Sequence, residues 1–497
     1  MITLTLFLPL LGALLLVVLP LRGERPLRVT AGLVALAPLV LLMVVWSRFK
    51  GTGTFEQVES APWIPTLGAS YVTGVDGLSL ALAAMTALLF FAAIIYPVDL
   101  RGRPKAYFAL FLFLETASLG VFLSLDLLLF YVFWDLSLVG MYFLIGVWGH
   151  GDAARRSALK FFLYTLAGSL VMLLGVLSLY LSTAPHTFDM RHLIATRPLD
   201  GTGLAATLTF SGFALAFAIK APLVPFHTWL PPAHVDAPAP ASTILAGVLL
   251  KMGTYGFVRI LLQMMPQTFS RLALPVAILA LVSVVYGALV ALAQQNVKRR
   301  IAYTSVNHMG YAILGIAAAA AILPGLGGGF TQTRSLALTG ATVEMVAHGL
   351  ITGALFLMTG SLWRRTGTYE ISELGGLARR APIFTGLAAV AAFASLGLPG
   401  LAGFVAEFQI FVGGFPVYPW LIALSLLGLI ITAALFLNLL QRVFLGPLPE
   451  RWQHFRDLDR VEIASLSMLI AFVVVIGVAP GWLLAVIDSF ARPLVTR

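Results

Sequence analysis

Charged side chains in this 497-residue sequence fall between apolar runs of about twenty residues and rarely within them. A helical run of that length matches the hydrocarbon thickness of a bilayer. Only 10% of the residues are charged and 60% are apolar, against roughly 25% charged in soluble domains. A water-soluble fold is excluded. The runs cover residues 2–20, 29–47, 76–98, 106–125, 127–148, 157–182, 204–230, 239–262, 272–294, 301–322, 336–362, 382–412, 417–440 and 463–487. The expected fold is an all-α polytopic membrane protein with about 14 transmembrane helices.

Twenty of the 31 lysines and arginines lie in alternate loops, from Arg22, Arg25 and Arg28 to Arg442, Arg451, Arg456 and Arg460. Nine lie on the opposite side, among them Arg48, Arg191, Arg259 and Arg497. Basic loops remain in the cytoplasm, which predicts that both termini lie outside. The net charge of +10 is therefore a topology signal rather than a nucleic-acid surface. The first run lacks a basic flank and a small-residue cleavage site, and reads as a retained helix. The absence of cysteine excludes disulfides, thiolate nucleophiles and Cys-held zinc or iron–sulfur centres. The eight histidines lack metal-ligand spacing, and no nucleotide-binding Gly-rich motif occurs. This chain is expected to hold no metal and no cofactor.

Two runs are interrupted, by Lys220-Ala-Pro222-Leu-Val-Pro225 and by Gly397-Leu-Pro399-Gly400-Leu-Ala-Gly403. Proline removes a helix donor, so broken helices 7 and 12 are expected near mid-membrane. Tyr164-Thr165 and Tyr303-Thr304 each follow a basic cluster at the start of a run. Broken helices at matching positions point to two inverted five-helix repeats. The expected organisation is a three-helix segment 1–104, repeats 105–265 and 266–446, and a last helix within 447–497.

Ionisable residues inside apolar runs cost at least about 2.5–3.5 kcal/mol each on insertion scales. Glu115, Asp135, Lys220, Lys251, His308, Glu344, His348 and Glu407 all stand there. They mark either an ion path or local pairs that fix helix packing. A carboxylate beside a buried lysine titrates with it as a unit, so moving the lysine changes its proton affinity. That reading pairs Asp135 with Lys220. His308 and His348 belong to the residue type that exchanges protons near neutral pH, and Glu344 and His348 share a helix face. His227 and His234, beyond the first break, read as structural groups near the membrane surface. Asp76-Gly77 reads as a helix cap.

The stretch Phe217-Ala-Ile-Lys220-Ala-Pro-Leu-Val-Pro225-Phe-His-Thr-Trp-Leu-Pro-Pro-Ala-His234, continued by Leu250-Lys251-Met-Gly-Thr-Tyr-Gly256, resembles the antiporter-like membrane subunits of respiratory complex I. Lys298-Arg-Arg-Ile-Ala-Tyr-Thr-Ser-Val-Asn-His308-Met-Gly310 and Leu398-Pro-Gly-Leu-Ala-Gly-Phe-Val-Ala-Glu407-Phe are similar to the same family. The resemblance spans essentially the whole chain. A glutamate in the twelfth run is similar to the M-type branch, whereas L-type, N-type and Mrp D-type chains carry lysine there. An L-type subunit is expected to continue past its last run into a long lateral helix, and the expectation here is a chain without one. Asp135 stands where the family usually has Glu, and Asn296 replaces a common Asp.

The resemblance implies proton transfer through Asp135, Lys220, Lys251, His308, His348 and Glu407, with Glu115 matching a family glutamate in span four. It implies a proton-translocating membrane-arm subunit of a bacterial NADH:quinone oxidoreductase. NADH, FMN, iron–sulfur clusters and quinone are then expected on other subunits. The expected neighbours are the L-type and N-type chains, the lateral helix of the L-type chain and lipids, in a bacterial plasma membrane and with no nucleic acid. A cation/proton antiporter or a membrane-bound hydrogenase subunit of the same fold is the alternative. A passive scaffold with residual buried charges is a third reading.

Overall fold

The computed structural model describes residues 1–322 and 329–496; Arg497, counted above among the outer basic residues, lies outside them. The chain begins with α1 (Ile2–Val18) and α2 (Glu24–Arg48), followed by strands β1 (Glu56–Ile64) and β2 (Ala69–Val75). Helices α3 (Gly77–Ile95), α4 (Pro104–Leu123), α5 (Leu127–Trp148), α6 (Ala154–Leu181) and the short α7 (Met190–Thr196) come next. Then come α8 (Leu204–Lys220), α9 (Leu230–Asp236), α10 (Ala239–Ile244), α11 (Leu250–Gly256), α12 (Pro266–Ala293) and α13 (Val297–Ala320). The remainder is α14 (Gly329–Thr366), α15 (Pro382–Ser395), α16 (Ala402–Gly414), α17 (Pro419–Val443), α18 (Arg460–Val478) and α19 (Gly481–Thr496).

Among the described residues, ten helices are long and apolar enough to cross a membrane. The expected runs are completed by α1, by α13 with its polar Lys298, Asn307 and His308, and by the two interrupted runs, α8–α9 and α15–α16. Helix ends follow local chemistry. Proline opens α4, α12, α15 and α17, where its missing N–H costs nothing. Asp126, Asn296 and Asp459 cap α5, α13 and α18 with side-chain oxygens. The centre is formed by segment 239–262, buried throughout, and by residues 337–362 of α14, also buried throughout. Leu33 on α2, Leu174 on α6 and Ile430 on α17 face outward, as apolar residues facing lipid do.

Three expectations change. The loop 48–75 contains an antiparallel hairpin, with Ala61 opposite Tyr71 and Gly68 at φ +64° in its turn. The loop 183–203 holds α7, capped by Asp189. The last run does not continue as one helix: Pro480 cannot extend α18, and Ala479 before it leaves the helical region (φ −134°, ψ 65°). The chain turns into the amphipathic α19, which buries Leu483, Ile487, Phe490 and Val495.

Asp76 caps α3 as expected, in a reciprocal box with Ser79. It does more than that. Arg259, read from sequence as a residue at a run's edge, is fully buried and lies 2.7 Å from the Asp76 carboxylate. Its other donors reach Tyr255 Oη at 3.0 Å and Gln263 Oε1 at 2.8 Å. This ion pair ties α3 to the segment that carries Lys251. Removing one partner of a buried pair strands the other and costs about 3–5 kcal/mol. Asp76→Ala is therefore expected to lower thermal stability sharply in detergent, and Asp76→Ala combined with Arg259→Met to lower it less. Equal losses in the single and double variants would show that the charge pairing is not what matters.

Candidate functional site

At the first break, α8 ends on Lys220 and the backbone stays non-helical until α9. The freed groups find new partners: Trp229 Nε1 donates to the Ile219 carbonyl at 2.9 Å, and Val224 N–H donates to Ser283 Oγ at 2.9 Å. Gly253 on α11 lets the end of α8 come close, because a Cβ there would sit 2.7 Å from Phe217 O and Ala221 N. At the second break, the Leu398 and Leu401 N–H groups donate to the Phe393 and Leu398 carbonyls.

Lys220 is buried. Its ammonium lies 3.5 Å from Ser137 Oγ and 5.0 Å from the centre of the Trp134 ring. Asp135 stands on the same helix as both, half-buried, with Oδ1 sequestered and unpartnered. Among the described residues, no carboxylate lies within 4.0 Å of Lys220, so the expected Asp135–Lys220 pair makes no direct contact. Glu115 on α4 is fully buried, and neither carboxyl oxygen has a protein partner.

The second half is a connected row. Lys251 follows a π-helical turn, Leu245–Leu249, and donates to the Ala246 carbonyl within that turn at 2.5 Å. The same nitrogen lies 2.5 Å from His348 Nδ1 on α14. The His348 and His308 rings are 5.3 Å apart. His308 Nδ1 is 3.0 Å from Glu344 Oε1 and 3.8 Å from Glu407 Oε1, and its Nε2 is 3.1 Å from Ser395 Oγ. All of Lys251, His308, Glu344, His348 and Glu407 are buried.

Five sequence candidates fall into place in two groups. Lys251, His348, His308 and Glu407 share one cluster, and Lys220 lies apart beside Ser137. Glu344 was not among the residues assigned to proton transfer, yet it is the closest acid to His308. Its four-residue spacing from His348 was the available signal. Ser137 and Ser395 carried none, since serine is common in membrane helices. His234 differs from expectation: it is fully buried, stacks on Phe356 at 4.5 Å, and leaves both ring nitrogens without a protein partner. His227 is also buried, with Nδ1 unpartnered. Neither side chain caps the break.

His150 lies in the loop between α5 and α6, its ring 4.8 Å from that of Trp363. Burial, reinforced by the charges of Lys298 and Arg101, pushes its imidazole down to about 3. It stays neutral near pH 7 and is no proton collector. Among the described residues, no group of three or more His, Asp or Glu could hold a metal ion.

What this arrangement can do follows from its atoms. A Lys251 ammonium can hand a proton to His348 Nδ1, and the resulting imidazolium either returns it to Lys251 or releases one onward from Nε2, which is buried and without a protein partner. His308 turns Nδ1 toward both Glu344 and Glu407 and Nε2 toward Ser395 Oγ, so both acids meet it on one edge of the ring. Gly397, at φ +77°, faces the second acid, and a Cβ there would collide with Glu407 Oε2. Gly397→Ala is thus expected to strain the break and displace the Glu407 carboxylate. Proton movement across proteoliposomes should fall several-fold at unchanged assembly, and an unaltered rate would remove Glu407 from the pathway.

Residues 124–432 match the membrane-domain family described as NADH:quinone oxidoreductase/Mrp antiporter. NADH-quinone oxidoreductase subunit M of Rickettsia typhi is 36% identical, covering 100% of this chain and 99% of the relative. F(420)H(2) dehydrogenase subunit M of Methanosarcina mazei is also 36% identical, over 93% of this chain and 92% of the relative. A chain of respiratory complex I from Thermus thermophilus superimposes with a TM-score of 0.88 at 32% identity, covering 100% of this chain and 99% of its own. A chain of the Mrp complex from Dietzia shares the fold, with a TM-score of 0.84 at 21% identity.

Proposed function

Because the chain belongs to the NADH:quinone oxidoreductase/Mrp antiporter membrane-subunit family, we propose that it is the M-type proton-translocating subunit of a bacterial NADH:quinone oxidoreductase. The observation that carries this reading is the buried cluster Lys251, His348, His308, Glu344 and Glu407, hydrogen-bonded from Lys251 to His348 and from His308 to Glu344 with the two imidazole rings 5.3 Å apart, within a chain that aligns end to end with subunit M relatives. NADH oxidation and quinone reduction take place on other subunits, which hold FMN and the iron–sulfur clusters. This chain moves protons across the plasma membrane.

In this reading each break lies in the fourth helix of one of two inverted five-helix units, residues 105–265 and 266–446, and both termini face outward. The L-type and N-type chains flank it, and the lateral helix of the L-type chain braces it. Asp135, on the helix that presents Ser137 and Trp134 to Lys220, serves as the charge partner of that lysine, and Glu115 belongs to the same route.

Lys220→Ala is expected to abolish or severely reduce proton pumping in inverted membrane vesicles while quinone reduction by the assembled complex persists in part. Full pumping at normal assembly would exclude Lys220. Asp135→Asn should impair coupling strongly. Asp135→Glu, one methylene longer, should be tolerated, since it shortens the gap to Lys220. If the Asn variant pumps like the parent, Asp135 is not the partner of that lysine.

A further inference from the structure

A cleft runs down the outward surface between α2 and α18, with α3 as its floor. Its inner part, about 710 Å³, is lined by Glu24, Arg25, Arg28, Leu36, Phe91 and Val461 among others. Its outer part, about 290 Å³, is lined by apolar side chains that include Trp46, Met85, Phe472 and Trp482. Arg28 and Trp46 stand eighteen residues apart on α2, about 27 Å of helix rise, close to the hydrocarbon thickness of about 30 Å.

The chemistry along the cleft follows the layers of a bilayer. Arginines stand at the end that the basic-loop count assigns to the cytoplasm. Apolar side chains fill the middle. The Trp46 and Trp482 rings meet at 5.5 Å at the opposite end, where indoles favour the interface. Arg25 is exposed and forms no ion pair among the described residues. Arg28 pairs with Glu24, yet its Nε is buried without a partner. A buried guanidinium donor and a free neighbouring arginine complement a phosphate, which guanidinium groups bind through paired hydrogen bonds.

We propose that the inner half of this cleft binds one anionic phospholipid of the cytoplasmic leaflet. Its phosphate sits between Arg25 and Arg28, and an acyl chain lies along Gly32, Leu36, Phe91 and Ile95. Basic pockets between membrane helices on the cytoplasmic side select such headgroups. A helix from a neighbouring subunit would supply the apolar contacts but no phosphate for the two arginines. The site does not use the proton-transfer row, and its assignment to the cytoplasmic leaflet rests on the orientation proposed above.

The test uses the assembled complex, stripped of loosely held lipid in detergent and then titrated with phosphatidylglycerol or phosphatidylcholine. Native mass spectrometry counts retained lipids, and cryo-electron microscopy images the cleft. The parent should hold phosphatidylglycerol in preference to phosphatidylcholine, with headgroup density at Arg25 and Arg28. The double variant Arg25→Gln, Arg28→Gln should weaken phosphatidylglycerol binding by about tenfold and leave phosphatidylcholine unchanged. Leu36→Trp, which fills the groove without touching either charge, should displace the same lipid. Equal retention by parent and double variant, no headgroup preference in the parent, or a neighbouring subunit's helix in the cleft would each overturn the proposal.

Discussion

Inside hydrocarbon the backbone must satisfy its own hydrogen bonds, and this fold departs from that rule at two places, after Lys220 and before Glu407. Both interruptions are tolerated because side chains and nearby turns take up the released groups, as Trp229 and Ser283 do around Lys220. Each interruption then brings something an unbroken helix could not. The first lets a lysine terminate a helix in the protein interior. The second brings Gly397 against the Glu407 carboxylate. Long unbroken helices, α14 above all, supply the rigid wall against which these ends are held.

Buried ionisable groups are of two kinds here, and hydrogen-bond saturation separates them. Arg259 is surrounded by Asp76, Tyr255 and Gln263; its charge is fixed and its role is architectural. Along the polar axis the opposite holds. Both oxygens of Glu115, Asp135 Oδ1, Glu344 Oε2, His348 Nε2 and Glu407 Oε1 have no protein partner. Buried polar atoms normally find a partner in protein or water, so these atoms keep hydrogen-bonding capacity that the protein itself does not fill. His234 belongs with this second kind.

Much of the fold was legible in the sequence because bilayer thickness imposes one length on every run and forces charge into the loops. The breaks were legible for the same reason, since Pro222, Pro225, Pro399 and Gly400 stand where nothing else disrupts an apolar run. Runs of hydropathy do not report side-chain direction, and the misreadings lie there. Arg259 looked like a residue at a run's end and faces inward. His234 looked superficial and is enclosed. Pro480 divides a run whose composition is uniform on both sides. The contact of His308 with Glu344 needed two helices to be laid side by side, which one-dimensional spacing cannot supply.

The π-helical turn before Lys251 also sets a phase. Successive residues on an α-helix advance by about 100° around its axis, and a π turn holds one residue more than an α turn. Leu245–Leu249 therefore offsets the face of α11 from that of α10 by about one such step. With an ordinary turn in its place, Lys251 would emerge on a different side of the segment, out of line with His348, while the apolar composition of the run stayed the same. The alignment of Lys251 with His348 thus rests on the count of residues in a single turn, a form of gearing in which the tooth number matters more than the material.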